Sequence, residues 1–252
     1  ANTSLEAHGE LVTFAIMAGL GAFAVTLVAA RLAKVSTKQH GAFVQAAFRS
    51  NLGIIGLALC INAFADEGAV LGALILAVVT PLYNFLSVWV LAGGKVGWQG
   101  QFIATAKNPL IIAIAAAAVV NMVGIELPTF AHTTGNALAA MTLPLALIGI
   151  GGSLGLPKLG HGNRITFLAV VLKLILLPLL IVLAAIGAGL RGSELMVIAI
   201  MFSSPTAAAA FVMASAMAGD ERLTANVIAI STLGGAVTIT SFIYVLNLSG
   251  LV

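Results

Sequence analysis

Two short polar stretches interrupt long apolar runs of the chain. The first consists of Arg49, Ser50 and Asn51, and the second covers residues 203–206. A guanidinium can pair with a carboxylate through its planar fork of donors, while hydroxyl and amide oxygens can coordinate a sodium ion. These residue types therefore indicate the binding of a small ion within an otherwise apolar environment.

Motifs of several common enzymes are missing from the sequence. It has neither the HExxH pattern of zinc peptidases nor the GxxxxGK[ST] loop that binds nucleotide phosphates. No paired aspartates lie inside an apolar run, and the single cysteine, Cys60, is interpreted as a packing residue. We therefore predict that the protein is not an enzyme and has no catalytic residues, no metal site and no cofactor.

The elements that carry the polar stretches must lie in a membrane. Hydrophobic residues make up 61% of the chain and charged residues only 8%, with a mean hydropathy of +1.15. Apolar windows long enough to cross the hydrocarbon as helices, which takes about 20 residues each, cover residues 10–32, 43–64, 69–91, 103–125, 132–154, 165–189, 195–218 and 223–247. Continuous apolar runs are typical of helices, whereas a β-barrel would alternate in polarity. The sequence predicts an all-α membrane protein.

Basic residues predict the orientation, because they tend to stay in cytoplasmic loops. Alternate loops carry Arg31, Lys34, Lys38, Lys95, Lys107, Lys158, Arg164 and Arg222. The intervening loops carry Arg191 alone, so both ends of this sequence are expected outside the cytoplasm. The basic pI near 9.3 therefore reflects loop bias, and no nucleic-acid partner is expected.

An internal repeat relates the two polar stretches. A shift of 154 residues aligns FRSNLGIIGLALCINAFADE, from residue 48, with FSSPTAAAAFVMASAMAGDE, from residue 202. A polar break opens each window and an Asp-Glu pair closes it. The two windows are an odd number of crossings apart, so the copies run in opposite directions.

This inverted repeat predicts the domain organisation. Residues 1–95 form three helices of the first repeat, and residues 100–252 form the five helices of the second. Two further helices, about 60 residues, are expected upstream, so that eight of ten helices are present. The acidic pairs Asp66-Glu67 and Asp220-Glu221 are interpreted as solvated loop charges in preference to ion ligands.

Four stretches carry a resemblance to a known family. They are TPLYNFLSVWVL, KNPLIIA, LPLALIGIGGSL and SSPTAAAAFVMA, which begin at residues 80, 107, 143 and 203. Together they resemble the auxin efflux carrier family, whose bacterial members include malonate and other organic-acid permeases. The resemblance implies a fold of two inverted five-helix repeats, like plant PIN auxin carriers and bile-acid-symporter-like proteins. It also implies broken helices that cross near mid-membrane, and a homodimer.

The predicted site lies where the broken helices cross. Half-helix ends expose backbone groups, and the N-terminal ends favour an anion. Pro205 can break one helix, while Asn51, followed by two glycines, marks the other. The candidate substrate-binding residues are Arg49, Ser50, Asn51, Asn84, Ser203, Ser204, Pro205 and Thr206, with Tyr83 and Lys173 as additional candidates.

Four of these candidates leave alternatives open. Arg49 could bind a carboxylate or extend to the lipid headgroups. Lys173 could pair with a carbonyl, an acidic group on a missing helix or the substrate. Asn84 and Tyr83 follow Pro81, which is expected to kink the helix, and they could line the cavity or serve packing.

These features favour a secondary transporter of small organic anions, such as malonate, malate or auxin-like acids, that works by alternating access. With no site for ATP, it would use the gradient of H+, Na+ or the substrate itself. The expected surroundings are the lipid bilayer of a bacterial inner membrane. A membrane sensor or scaffold that retains the carrier fold, without transport, is the alternative.

Overall fold

A computed structural model of the chain describes residues 8–93 and 164–252, with scattered positions between 112 and 141. The two continuous parts are helical throughout. Their helices are α1 (Gly9–Leu32), α2 (Thr37–Phe48), α3 (Leu57–Leu91), α4 (Arg164–Val171), α5 (Leu177–Gly187), α6 (Gly192–Ser203), α7 (Ala209–Ala216) and α8 (Glu221–Leu248). Two π-helical segments, Leu52–Gly56 and Leu172–Leu176, precede α3 and α5. The prediction of an all-α membrane protein is confirmed.

The helices follow the predicted windows closely where the structure describes them. Four helical stretches are long and apolar enough to cross a membrane: Gly9–Leu32, Leu52–Leu91, Arg164–Gly187 and Glu221–Leu248. The windows 43–64 and 195–218 are each interrupted, at the two predicted polar stretches. The windows 103–125 and 132–154 fall largely outside the described residues, and so do Lys95, Lys107 and Lys158.

Helix α3 folds back on itself at the boundary between the predicted windows 43–64 and 69–91. Non-helical backbone occurs at Phe64 and at Ala65, whose φ is 47° and ψ is −124°, whereas Pro81 lies within regular helix. A Cβ on Gly68 would come within 2.0 Å of the Cys60 carbonyl oxygen. The reversal is made at Phe64 and Ala65, and only glycine at position 68 permits so close a return. The kink expected at Pro81 stays a prediction.

Polar contacts join the ends of the predicted spans in pairs. At one end, His8 Nδ1 lies 2.8 Å from Glu194 Oε1, and Ser193 donates to Glu67 at 2.5 Å. At the other, Gln39 donates to Asp220 Oδ2 at 3.2 Å. These contacts agree with the sides assigned to the loops from the positions of basic residues.

An aromatic cluster fixes the end of α2 among its neighbours. Phe48, the last residue of α2, packs edge-on against Phe23 of α1 and Tyr83 of α3, with ring centroids 5.2 Å apart in both pairs. Such edge-to-face pairs add about 0.5–1.5 kcal/mol beyond burial. The residue that precedes the first polar stretch is therefore held rigidly.

Candidate functional site

The first break separates α2 from the π-helical segment. Arg49 has an extended backbone (φ −80°, ψ 104°) and Asn51 is also non-helical (φ −82°, ψ 69°). The side chain of Asn51 accepts a hydrogen bond from the Ile54 N–H at 3.3 Å, as an N-cap does. An asparagine cap therefore starts the second half-helix without any proline.

The second break lies between α6 and α7. Ser204 leaves the helix with φ −55° and ψ 142°, as expected for the residue before Pro205. The hydroxyl of Ser203 donates to the Ala199 carbonyl at 2.5 Å, and that of Ser204 donates to the Ile200 carbonyl at 2.9 Å. Both serine hydroxyls thus donate to carbonyls of their own helix, α6.

The two breaks pair with each other through their backbones. Ser50 and Thr206 form an isolated antiparallel bridge. The Asn51 N–H donates to the Pro205 carbonyl at 2.8 Å, and the Ala207 N–H donates to the Arg49 carbonyl at 3.1 Å. Each break therefore satisfies groups that the other exposes, as backbone inside a bilayer must. We call the paired segments, residues 49–51 and 204–207, the crossing.

Thr206 ties the crossing to two further helices. Its hydroxyl donates to the Ala46 carbonyl of α2 at 2.7 Å. Its N–H donates to the Ser231 hydroxyl of α8 at 3.1 Å. Thr206 therefore supports the geometry of the crossing with both of its donors.

The side chain of Arg49 is enclosed by the protein. The residue is 4% exposed, and its guanidinium donates to Asn84 Oδ1 at 2.6 Å and to Ser87 Oγ at 3.1 Å. It also contacts Met213 Sδ at 3.5 Å, as does Gln45 at 3.6 Å. The snorkelling interpretation is thus excluded. We call these five buried residues, Gln45, Arg49, Asn84, Ser87 and Met213, the Arg49 cluster.

Several polar atoms around Arg49 lack a hydrogen bond to any described residue. They are Arg49 Nε, Asn84 Nδ2, Gln45 Oε1 and the Tyr83 hydroxyl. The Tyr83 hydroxyl lies beside Ser50 without reaching hydrogen-bond geometry. Leaving a buried polar group unpaired costs about 1–3 kcal/mol, so such a concentration marks a place where a ligand could be held.

Lys173 is the second buried cation, and it bonds to the crossing through Ser50. It lies in the π-helical segment of residues 172–176 and is 1% exposed. Its ammonium donates to Ser50 Oγ and, at 3.1 Å, to the Phe202 carbonyl at the end of α6. Ser50 in turn donates to the same carbonyl at 3.1 Å. Of the alternatives for Lys173, the structure shows pairing with a carbonyl.

The buried cations have no acidic partner among the residues that the structure describes. The ion pair found there, between His8 and Glu194, lies at one end of the bundle. The described residues also contain no group of three or more His, Cys, Asp or Glu that could hold a metal ion. No carboxylate of the described residues therefore neutralises either Arg49 or Lys173.

The structure divides the predicted site residues into two groups. Arg49 and Asn84 meet in the Arg49 cluster. Ser50, Asn51, Ser204, Pro205 and Thr206 belong to the crossing, and Lys173 bonds to it through Ser50. Sequence reasoning missed Gln45, Ser87 and Met213. Helical spacing could have found the first two, since Gln45 lies one turn before Arg49 and Ser87 one turn after Asn84.

Of the acidic pairs, two residues have defined roles in the structure. Asp220 caps α8 by accepting from the Leu223 N–H at 2.9 Å, and it also binds Gln39. Glu67 accepts from Ser193. Asp220 precedes α8, and Glu67 is exposed just after the reversal of α3, as the interpretation as solvated loop charges expects.

Long apolar helices with two breaks that pair inside the bundle are an arrangement known from secondary transporters. Residues 100–244 match the family model described as "Membrane transport protein". The chain belongs to this family, in agreement with its resemblance to auxin efflux carriers.

Curated relatives agree with this assignment. The chain is 26% identical over 207 residues to the "Uncharacterized transporter YfdV" of Escherichia coli K12, and to the protein of that name in Shigella flexneri. The match covers 78% of this chain and 65% of the relative, so the chain spans about two thirds of the length of these proteins.

Proposed function

We propose that the protein is a secondary carrier of small organic anions, of the mono- and dicarboxylate class, and that it binds them beside the helix crossing. The observation that carries this proposal is the burial of Arg49 without a carboxylate partner in the described parts of the chain. Lys173 places a second cation near the same backbone segment. A positive site inside an apolar bundle attracts an anion, because an ion there is otherwise uncompensated.

The chemistry of Arg49 favours a carboxylate in particular. A guanidinium offers donors in a rigid plane that match the two oxygens of a carboxylate. Three hydrogen-bonding contacts, to Asn84, Ser87 and Met213, already hold this plane in place. A held side chain loses little further freedom when it binds, so the site is preorganised.

The crossing suits alternating access. Two backbone hydrogen bonds join the halves, and the half-helices on either side can tilt about them without exposing new backbone donors to lipid. The driving force would be the gradient of the substrate, of H+ or of Na+, because the sequence has no nucleotide-binding loop.

The experiment that tests this function is uptake into liposomes. The complete natural protein is reconstituted and given labelled malonate, malate, lactate or indole acetate, with and without H+ and Na+ gradients. We expect saturable uptake and counterflow of at least one acid. An absence of both under every gradient would contradict the proposal and favour a sensor or scaffold.

A homodimer in a bacterial inner membrane completes the proposal, from the family resemblance and the positions of basic residues. Crosslinking of the reconstituted protein tests the dimer. Protease accessibility of the loop that carries Lys34 and Lys38 tests the orientation, because this loop should be protected from outside in intact cells.

A further inference from the structure

The two buried cations, Arg49 and Lys173, have different kinds of hydrogen-bond partners. Lys173 donates to the Phe202 carbonyl of α6 and to the Ser50 hydroxyl of the crossing, which are both neutral groups. Phe202 lies at the C-terminal end of α6, where the helix dipole favours a positive charge. The ammonium thus has local compensation from the fold itself.

Arg49 has donors left over. Its two terminal nitrogens bond to Asn84, Ser87 and Met213, while its Nε has no hydrogen-bond partner among the described residues. A guanidinium accepts no hydrogen bonds, so only a group that brings its own acceptor can satisfy Nε.

Asn84 is oriented by Arg49 so that it also presents a donor. The guanidinium can only donate, and so the atom of Asn84 that faces it at 2.6 Å must be the oxygen. The Asn84 Nδ2 group is then left buried without a partner in the described residues, although the residue is fully enclosed. Arg49 thereby orients the Asn84 amide so that its NH2 group is a second free donor.

The two free donors belong to residues that are joined by the 2.6 Å hydrogen bond from Arg49 to Asn84. Nε and the bonded Nη2 share one carbon of Arg49, as Nδ2 and the bonded Oδ1 share one carbon of Asn84. A carboxylate has two oxygens, each able to accept a hydrogen bond of about 2.9 Å. One carboxylate thus has enough acceptors for both donors.

We propose that Arg49 Nε and Asn84 Nδ2 together seat the substrate's carboxylate, and that Lys173 is a positioning residue that holds the crossing and binds no substrate. This inference rests on the proposed function and deepens it. It moves the binding contact from the crossing to the interface of α2 with α3, and it gives Asn84 a role in specificity.

The decisive variant is Asn84→Asp, which keeps the size and shape of the side chain. One aspartate oxygen can still accept from Arg49, while the other replaces the free donor by an acceptor that repels a carboxylate. The measurement compares each of the four acids named above with its full amide, as competitors of uptake. The ratio of the two apparent affinities should fall about tenfold or more, as expected for the loss of a charge-assisted hydrogen bond.

This ratio separates binding from folding, because a poorly folded protein loses affinity for acid and amide alike. Asn247→Asp is the matched control, since Asn247 is exposed at the end of α8 and bonds to its own helix. If Asn84→Asp does not fold, Asn84→Ala removes the same donor and should also lower the ratio.

Lys173→Met tests the second half of the inference. It should lower the thermal stability of the protein and leave the acid-to-amide ratio within about threefold of wild type. A tenfold fall in the ratio would make Lys173 a substrate contact and overturn its assignment as a positioning residue.

The outcomes distinguish this inference from the function on which it rests. If wild-type protein carries an acid and Asn84→Asp leaves the ratio unchanged, the carboxylate seat is wrong and the carrier function stands. If wild-type protein carries none of the acids, both are wrong.

Discussion

The two helix breaks bring about the same geometry by different chemistry. At the first, Asn51 caps the following half-helix and Arg49 extends its side chain toward α3. At the second, Pro205 removes a donor, and Ser203 and Ser204 bond back to α6. The first break therefore presents a charged side chain to a neighbouring helix, while the two serines of the second break bond within their own helix.

This difference indicates that the two breaks have different roles, although the sequence windows that carry them resemble each other. The backbone pairing is reciprocal, because each break donates one hydrogen bond to the other. The side chains are not equivalent, since Ser203 stands where the first break has Arg49. An asymmetric substrate could thus be held by a site built on two related helices.

The largest expected effect comes from removing the charge of the first break. Arg49→Gln should reduce substrate affinity about a hundredfold, because charge-assisted hydrogen bonds contribute about 1.5–3 kcal/mol each. Arg49→Lys should bind the substrate almost as weakly as Arg49→Gln, because an ammonium lacks the planar fork of donors. Uptake kinetics in liposomes measure both variants.

Ser203→Ala provides the matched control at the corresponding position of the second break. The Ser203 hydroxyl donates to the Ala199 carbonyl of its own helix, so its removal should leave substrate affinity within a few-fold of wild type. Equal losses in Arg49→Gln and Ser203→Ala would show that the two breaks contribute equally, contrary to the comparison.

The next effect concerns the distance between the half-helices. In Gly56→Ala, the new Cβ would lie 2.7 Å from Met201 Sδ and 3.2 Å from Ser204 Oγ, where the surroundings are fully buried. Overpacking of this kind costs about 1–3 kcal/mol, so thermal unfolding in detergent should occur at a lower temperature.

Gly53→Ala is the control for this change, on the same π-helical segment. The nearest atom to its Cβ would be Leu76 Cδ1 at 3.5 Å, an ordinary contact. Gly53→Ala should leave stability unchanged or raise it slightly. Comparable losses in both variants would mean that the segment rejects any side chain, and close packing against α6 would not be the cause.

A smaller effect is expected for the hydroxyl that ties the crossing to α2. Thr206→Val keeps the shape of the side chain but removes the donor to the Ala46 carbonyl, which should cost about 1 kcal/mol. The matched control is Thr240→Val, because the Thr240 hydroxyl is exposed and bonds within its own helix. Should both lower the unfolding temperature equally, the tie between α2 and the crossing contributes nothing of its own.

Much of this arrangement follows from local sequence. Long apolar runs predict the membrane helices because a bilayer admits few other structures. Pro205 and the Asn51 cap predict the breaks because both act on backbone within a few residues. These effects need no knowledge of which helices become neighbours.

The contacts of the site depend on tertiary neighbours and could not be predicted in the same way. The windows 43–64 and 69–91 predict a reversal between them, but not the positive φ of Ala65 by which the chain makes it. Gln45 and Met213 join Arg49 only because α2, α3 and α7 meet there. The different surroundings of Arg49 and Lys173 also depend on tertiary structure, because Lys173 bonds to the end of α6.

The smallest expected effect concerns Ser204, which the sequence predicted as a substrate contact. In Ser204→Ala, the Ile200 carbonyl loses the hydroxyl but keeps the hydrogen bond from the Ser204 N–H at 3.1 Å. Stability should therefore change by less than about 0.5 kcal/mol, the range of substitutions that leave no group unpaired. Substrate affinity should stay within about threefold of wild type. A tenfold loss of affinity with unchanged stability would instead place the second break in the substrate site, and the two halves of the crossing would then be chemically closer than their hydrogen bonds indicate.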